Sequence, residues 1–193
     1  MKQIKAILGK ICGRINAKWV VAVTLFFGVM TWVIDYSPIG VAGLLEVTGG
    51  ANILDFECAY SVDACYQMLE ALGEAGRTFH LTKIMPTDIV FPFAMMLFNF
   101  TMLSILLRQL TGEDSTLRLL PILAIVDMLL DWTENIGITL MLINYPVKMN
   151  LICKITSVVS TVKFACVLAI YASIILLLLV LMLKKIVRVI RKQ

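Results

Sequence analysis

Between Val126 and Gly137 the sequence reads V-D-M-L-L-D-W-T-E-N-I-G, placing Asp127, Asp131 and Glu134 at i, i+4 and i+7 of an otherwise apolar stretch. On a 3.6-residue helix these carboxylates fall within about 60° of one another, so they form one acidic stripe. Carboxylates gathered in a low dielectric cannot all stay charged. They share protons, the starting point for acid and base catalysis and for proton transfer. An ionisable side chain at membrane depth is costly and faces a bundle interior or a water-filled cavity, so the stripe marks a candidate site.

A second polar stripe, Asp88, Pro92, Met95 and Asn99, repeats the same helical spacing. With a rise of 1.5 Å per residue, Asp131 and Tyr171 come to roughly 18 Å above the basic edge of the spans, and Asp127 and Asn99 to roughly 12 Å. Glu134 and Asn135 come to roughly 22 to 24 Å and Lys163 to roughly 30 Å. The catalytic candidates are therefore Asp131 and Glu134, with Asp88 opposite. Arg77, His80, Asn135 and Lys163 are candidates for holding a substrate, and Asp127, Asn99 and Tyr171 for a deeper polar relay. The competing structural expectation is that Asp127 bonds Asn99, Asp131 bonds Tyr171 and Glu134 pairs with Lys163, all to fix helix packing. His80 is the only histidine, which excludes a multi-histidine metal site; carboxylates joined by His80 are the one donor set for a divalent cation. The chain carries no phosphate-binding glycine loop, nucleophile elbow or zinc-protease helix, and neither metal nor cofactor is expected.

The elements that position these residues follow from composition. Hydrophobic residues make up 60% of the 193 residues and the mean hydropathy is +0.93, outside the range of soluble domains. The chain reads as a single all-α transmembrane domain, a four-helix bundle with spans at 19–36, 89–107, 119–143 and 163–183. A partly helical outer loop, 37–88, joins the first two spans; Ser61 and Asp63 suit the start of an amphipathic helix within it, and Gly73 and Gly76 its stop. Asp114 or Ser115 suits the cap of the third span. The leader, 1–18, places Ile4, Ile7, Leu8, Ile11 and Ile15 at helical spacing among five cations and reads as an uncleaved interfacial helix. The tail, 184–193, holds five more cations, whereas Asp35 to Asp88 holds eight acids against Arg77 and Lys83. The positive-inside rule puts both termini in the cytoplasm and the acidic loop outside. Basic ends that flank membrane spans imply anionic lipid rather than nucleic acid as their partner. Among the five cysteines, Cys58, Cys65 and Cys153 fall on the outer side, where a disulfide is an option.

L-G-E-A-G-R-T-F-H at 72–80, D-I-V-F-P at 88–92 and D-M-L-L-D-W-T-E-N at 127–135 together resemble a pattern in uncharacterised prokaryotic membrane proteins of four spans. The resemblance implies a common fold and a shared polar site at Arg77, Asp88, Pro92, Asp131, Glu134 and Asn135, but no activity. The leading functional expectation is an acidic site open to the outer face that binds and chemically processes a lipid or other amphiphile. A small proton or cation transporter or channel subunit, in which the acids relay charge, is the alternative from another class. A structural subunit of an oligomer or larger membrane complex is the third.

Overall fold

The computed structural model describes residues 2–51 and 53–191, without the side chains of residues 2 and 4–6. The expectations for Lys2, Ile4, Lys5 and Lys192 lie outside the described residues. Among the described residues the chain is all helical, with no strand. Three stretches are long and apolar enough to cross a membrane: Ala17–Thr48, Gly73–Leu110 and Asn150–Ile190.

The leader forms α1 (Lys2–Gly13), with Leu8 buried and Ile7 and Ile11 exposed. Asn16 then caps α2 (Ala17–Tyr36) by accepting from the Trp19 amide at 3.0 Å. Beyond the Ser37-Pro38 break come α3 (Val41–Thr48), a 3-10 turn (Leu54–Phe56) and α4 (Val62–Ala71), the last capped by Ser61. Gly73, at φ +63°, turns the chain in the left-handed region between α4 and α5 (Gly73–Phe79).

Gly73 thus ends α4, whereas Gly76 lies inside α5, and the helical stretch that leads into α6 begins at Gly73 rather than near residue 89. α5 passes through a single π-helical turn, His80–Ile84, directly into α6 (Met85–Leu110). The physical reason lies in Pro86, which offers no amide proton and crowds the carbonyl four residues back. In the wider turn the Met85 amide donates instead to His80 O, so the chain absorbs the proline without breaking.

A 3-10 turn capped by Ser115 (Thr116–Leu119) leads to α7 (Ile122–Asn144), which carries all three acids of the stripe. The hairpin at the end of α7 contains a cis Tyr145–Pro146 bond and returns the chain as α8 (Asn150–Ile190). At 41 residues, α8 rises about 60 Å, twice the hydrocarbon thickness. The segment expected at 163–183 is therefore only its middle. Beyond Ile174 none of its described residues is buried.

α7 packs between α6 and α8, while α6 also packs against α2 and α8. Two apolar clusters stand at opposite ends of this assembly. One gathers Leu44, Leu54, Leu69, Ile84, Ile138, Met141 and Cys153; the other gathers Leu103, Leu106, Leu107, Ile170 and Ile174. On α6, α7 and α8 the intervening turns carry buried polar residues instead: Asp88 and Asn99, then Asp127, Asp131, Glu134 and Asn135, then Ser157, Ser160 and Lys163. A polar layer is thus enclosed between two apolar ones.

Candidate functional site

Pro92 sets one wall of the site. Inside α6 it cannot donate to the carbonyl of Asp88, four residues earlier, and that oxygen would otherwise be stranded in an apolar setting. Asn135 on α7 supplies the missing donor: its Nδ2 reaches Asp88 O at 3.1 Å. One carbonyl further on, Trp132 Nε1 donates to Ile89 O at 3.0 Å. The two bonds lock α7 to α6 beside Pro92 and bring the Asp88 carboxyl within electrostatic reach of Asp131. Asn135 Nδ2 also donates to Asp131 Oδ1 at 3.3 Å.

The centre of the site joins α7 to α8. Lys163 Nζ forms an ion pair with Glu134 Oε2 and lies 3.5 Å from Asp131 Oδ2, so one ammonium serves two carboxylates a helical turn apart. Ser160, one turn before Lys163, donates to Glu134 Oε1. Glu134 is fully buried and Lys163 is 8% exposed. Such a close approach needs a small residue nearby, and Gly137 provides it: a Cβ there would fall on Thr156 Oγ1 of α8. Packing of α7 on α8 and pairing of Glu134 with Lys163 are consequences of the same contact.

On the side facing the first apolar cluster, the segment around the 3-10 turn lies over this centre. Asp55 Oδ2 stands 3.7 Å from His80 Nε2, both residues being buried. The Ala59 amide donates to Thr161 Oγ1 at 3.1 Å and Ser157 Oγ donates to Tyr60 O at 2.9 Å. Burial alone would raise the Asp55 carboxyl, but attraction to His80, helped by Lys163, outweighs it and holds the group below its ordinary value of 3.8. Burial pushes the Tyr60 hydroxyl and the Cys65 thiol up.

On the other side, Tyr171 lies against Asn99 and within electrostatic reach of Asp127, which is also a neighbour of Cys166. Asn99 and Asp127 are each 1% exposed, and Asp127 is in turn within electrostatic reach of Asp131. Buried carboxyls therefore follow one another from Asp55 through Asp88 and Asp131 to Asp127, with Lys163 and His80 as the basic groups among them.

The structure brings together Asp88, Asp131, Glu134, Asn135 and Lys163, sets His80 beside them through Asp55, and groups Asp127, Asn99 and Tyr171 one layer away. The Glu134–Lys163 pair forms, as the packing expectation had it. Two other expected pairs do not. Asp131 turns to Lys163 and Asn135 rather than Tyr171, because the closer cation and amide satisfy it. No hydrogen bond joins Asp127 to Asn99, since Asn99 lies against Tyr171. Arg77 is not part of the acidic centre: its Nη1 donates to Leu69 O at 2.8 Å and its guanidinium stacks 3.9 Å from the Tyr145 ring centroid. It ties α5 to α4 and to the α7–α8 hairpin.

Asp55, Tyr60 and Ser160 are members of the site that the sequence did not single out. Ser160 had a signal, lying three residues before Lys163 on the same helical face; Asp55 had none, since only tertiary folding brings it to His80. All five cysteines are free thiols, so the optional outer disulfide does not form, and Cys65 lies against Cys153 and the Met141 sulfur. Among the described residues no three metal-ligating side chains stand close enough to hold an ion. The comparisons give no family. Protein-family models, curated proteins and solved structures all return no match to this chain.

Proposed function

We propose that the protein is a small proton- or cation-conducting membrane protein, a transporter or channel subunit whose charge-carrying group is the buried Glu134–Lys163–Asp131 centre. The observation that carries this reading is the position of Lys163 between two carboxylates on successive turns of α7. An ammonium so placed neutralises whichever carboxylate is ionised. A proton or cation arriving at Glu134 releases Lys163 toward Asp131, and its departure draws Lys163 back. The neighbouring carboxyls Asp88 and Asp127 extend the centre toward either face, and enclosure between apolar layers prevents open leakage of water.

In this proposal α7 is a fourth crossing despite its acids, because they point into the assembly rather than at lipid, as their burial supports. The four crossings form a transmembrane helical bundle in a prokaryotic plasma (inner) membrane, with α1 lying along its cytoplasmic surface, the basic tail also inside, and the segment from Ser37 to Leu72 forming an outer cap. Lipid or amphiphile processing has less support. The acids are closed in, and four cavities on the molecule are lined by other residues.

Purified protein in proteoliposomes should move protons or monovalent cations down an imposed gradient, above the rate of empty vesicles. Absence of flux for both, from protein that remains folded, rejects the proposal. Topology has its own check. A membrane-impermeant maleimide should label the exposed Cys58 in intact cells and reach Cys12 only after the membrane is opened; the reverse pattern inverts the orientation.

A further inference from the structure

At the basic end of the molecule, opposite the outer cap, two cavities lie on either side of α1. One, of about 630 Å³, is charged: Lys10 from α1, Arg108 from the last turn of α6 and Arg118 from the 3-10 turn before α7 all line it. Glu113 and Asp114 line it too, leaving an excess of one positive charge. The other, of about 720 Å³, is apolar, with Ile7, Ile11, Trp19, Phe100 and Ile122 among its walls. Leu8 lines both, so the charged and apolar spaces adjoin across one side chain.

The two arginines are anchored without being used up. Arg108 Nη1 donates to Cys12 O at 3.1 Å and Arg118 Nη2 to Thr111 O at 2.9 Å, which aims each guanidinium and leaves its other nitrogens available. Among the described residues, buried Arg118 Nε has no hydrogen-bond partner. Planar guanidinium groups suit the oxygens of a phosphate, and three cations converging from three separate elements form a site that α1 must be docked to complete. A free anion would use only the charged cavity. The adjoining apolar cavity, at the level where α1 meets the membrane-crossing helices, calls for a ligand with a hydrocarbon chain beside its phosphate.

We propose that the paired cavities are one binding site for an anionic phospholipid of the adjacent leaflet, its phosphate among Lys10, Arg108 and Arg118 and an acyl chain under Leu8 against Trp19 and Phe100. Bound there, the lipid fastens α1 to α6 and to the turn that starts α7.

Native mass spectrometry of the delipidated full-length protein in an uncharged detergent tests this with three probes: long-chain phosphatidylglycerol, long-chain phosphatidylcholine and inorganic phosphate. Phosphatidylglycerol should be retained in preference to phosphatidylcholine. Lys10→Gln and Arg118→Gln should each weaken it by about tenfold, the scale of one charge-assisted hydrogen bond. Lys154→Gln, on an exposed position of α8 outside both cavities, should leave it unchanged. Among the described residues Lys10 makes no anchoring contact, so its variant remains informative if Arg118→Gln fails to fold. Equal retention of the two lipids, or wild-type retention by Lys10→Gln, overturns the proposal. Inorganic phosphate competing as strongly as the lipid overturns it as well, in favour of a free-anion site.

Discussion

Replacing Asn135 by Leu removes two hydrogen bonds at once, one to the Asp88 carbonyl and one to the Asp131 carboxylate. The first exists because Pro92 cannot supply the bond from within α6. In a Pro92→Ala background the alanine amide can donate to Asp88 O, so that part of the cost of losing Asn135 should disappear. A buried carbonyl left without a donor costs about 1–3 kcal/mol, but interhelical hydrogen bonds measured in a membrane protein average about 0.6 and reach about 1.7 kcal/mol. The coupling between the two substitutions should therefore be about 1 kcal/mol, with Asn135→Leu less damaging when residue 92 is alanine. The remaining cost, from Asp131, should persist in both backgrounds. Equilibrium unfolding of the four proteins in mixed micelles, titrated with a denaturing detergent and followed by circular dichroism, measures the cycle. Strict additivity, within the roughly 0.3–0.5 kcal/mol expected of independent sites, would refute the argument that Asn135 replaces the bond Pro92 forfeits.

Three further outcomes follow from the same contacts. Gly137→Ala should destabilise by about 1–3 kcal/mol through overpacking against Thr156, and Thr156→Ala should recover part of the loss in the same unfolding assay. Asp55 is held below its ordinary value in the folded protein, so its contribution is present above that value and is lost as pH falls through the folded one. Thermal denaturation should accordingly show wild type losing stability below about pH 4 by more than Asp55→Asn does; identical acid slopes would contradict this. Arg77→Gln should lower stability by about 1–2 kcal/mol through loss of the Leu69 and Tyr145 contacts while leaving flux per folded molecule unchanged, and a selective loss of flux would return Arg77 to the site.

The helices and the acidic stripe were legible in the sequence because both depend on periodicity along one segment. Heights along the spans set Asp127 level with Asn99, but put Lys163 above Glu134 and Tyr171 level with Asp131. They were not enough to say which neighbour each acid would choose, since that depends on helix rotation: Asp131 found Lys163 and Asn135 first. Gly73 ends α4 as its place after the amphipathic stretch suggested, whereas Gly76 sits inside α5 and Pro86 follows without a break. A single wider turn at His80–Ile84 reconciled the proline with helix, and extended α6 backwards through α5. Asp55 was beyond reach because its role arises only when the outer segment folds onto His80.

The proposed path for charge runs through Glu134 and Lys163. Its most direct test compares proton and cation flux in proteoliposomes containing equal amounts of folded wild type, Glu134→Asp and Glu134→Gln. Flux should survive in Glu134→Asp, which keeps an ionisable partner for Lys163, and fall to the level of empty vesicles in Glu134→Gln. Wild-type flux in Glu134→Gln would exclude this path, because the centre would then serve packing alone.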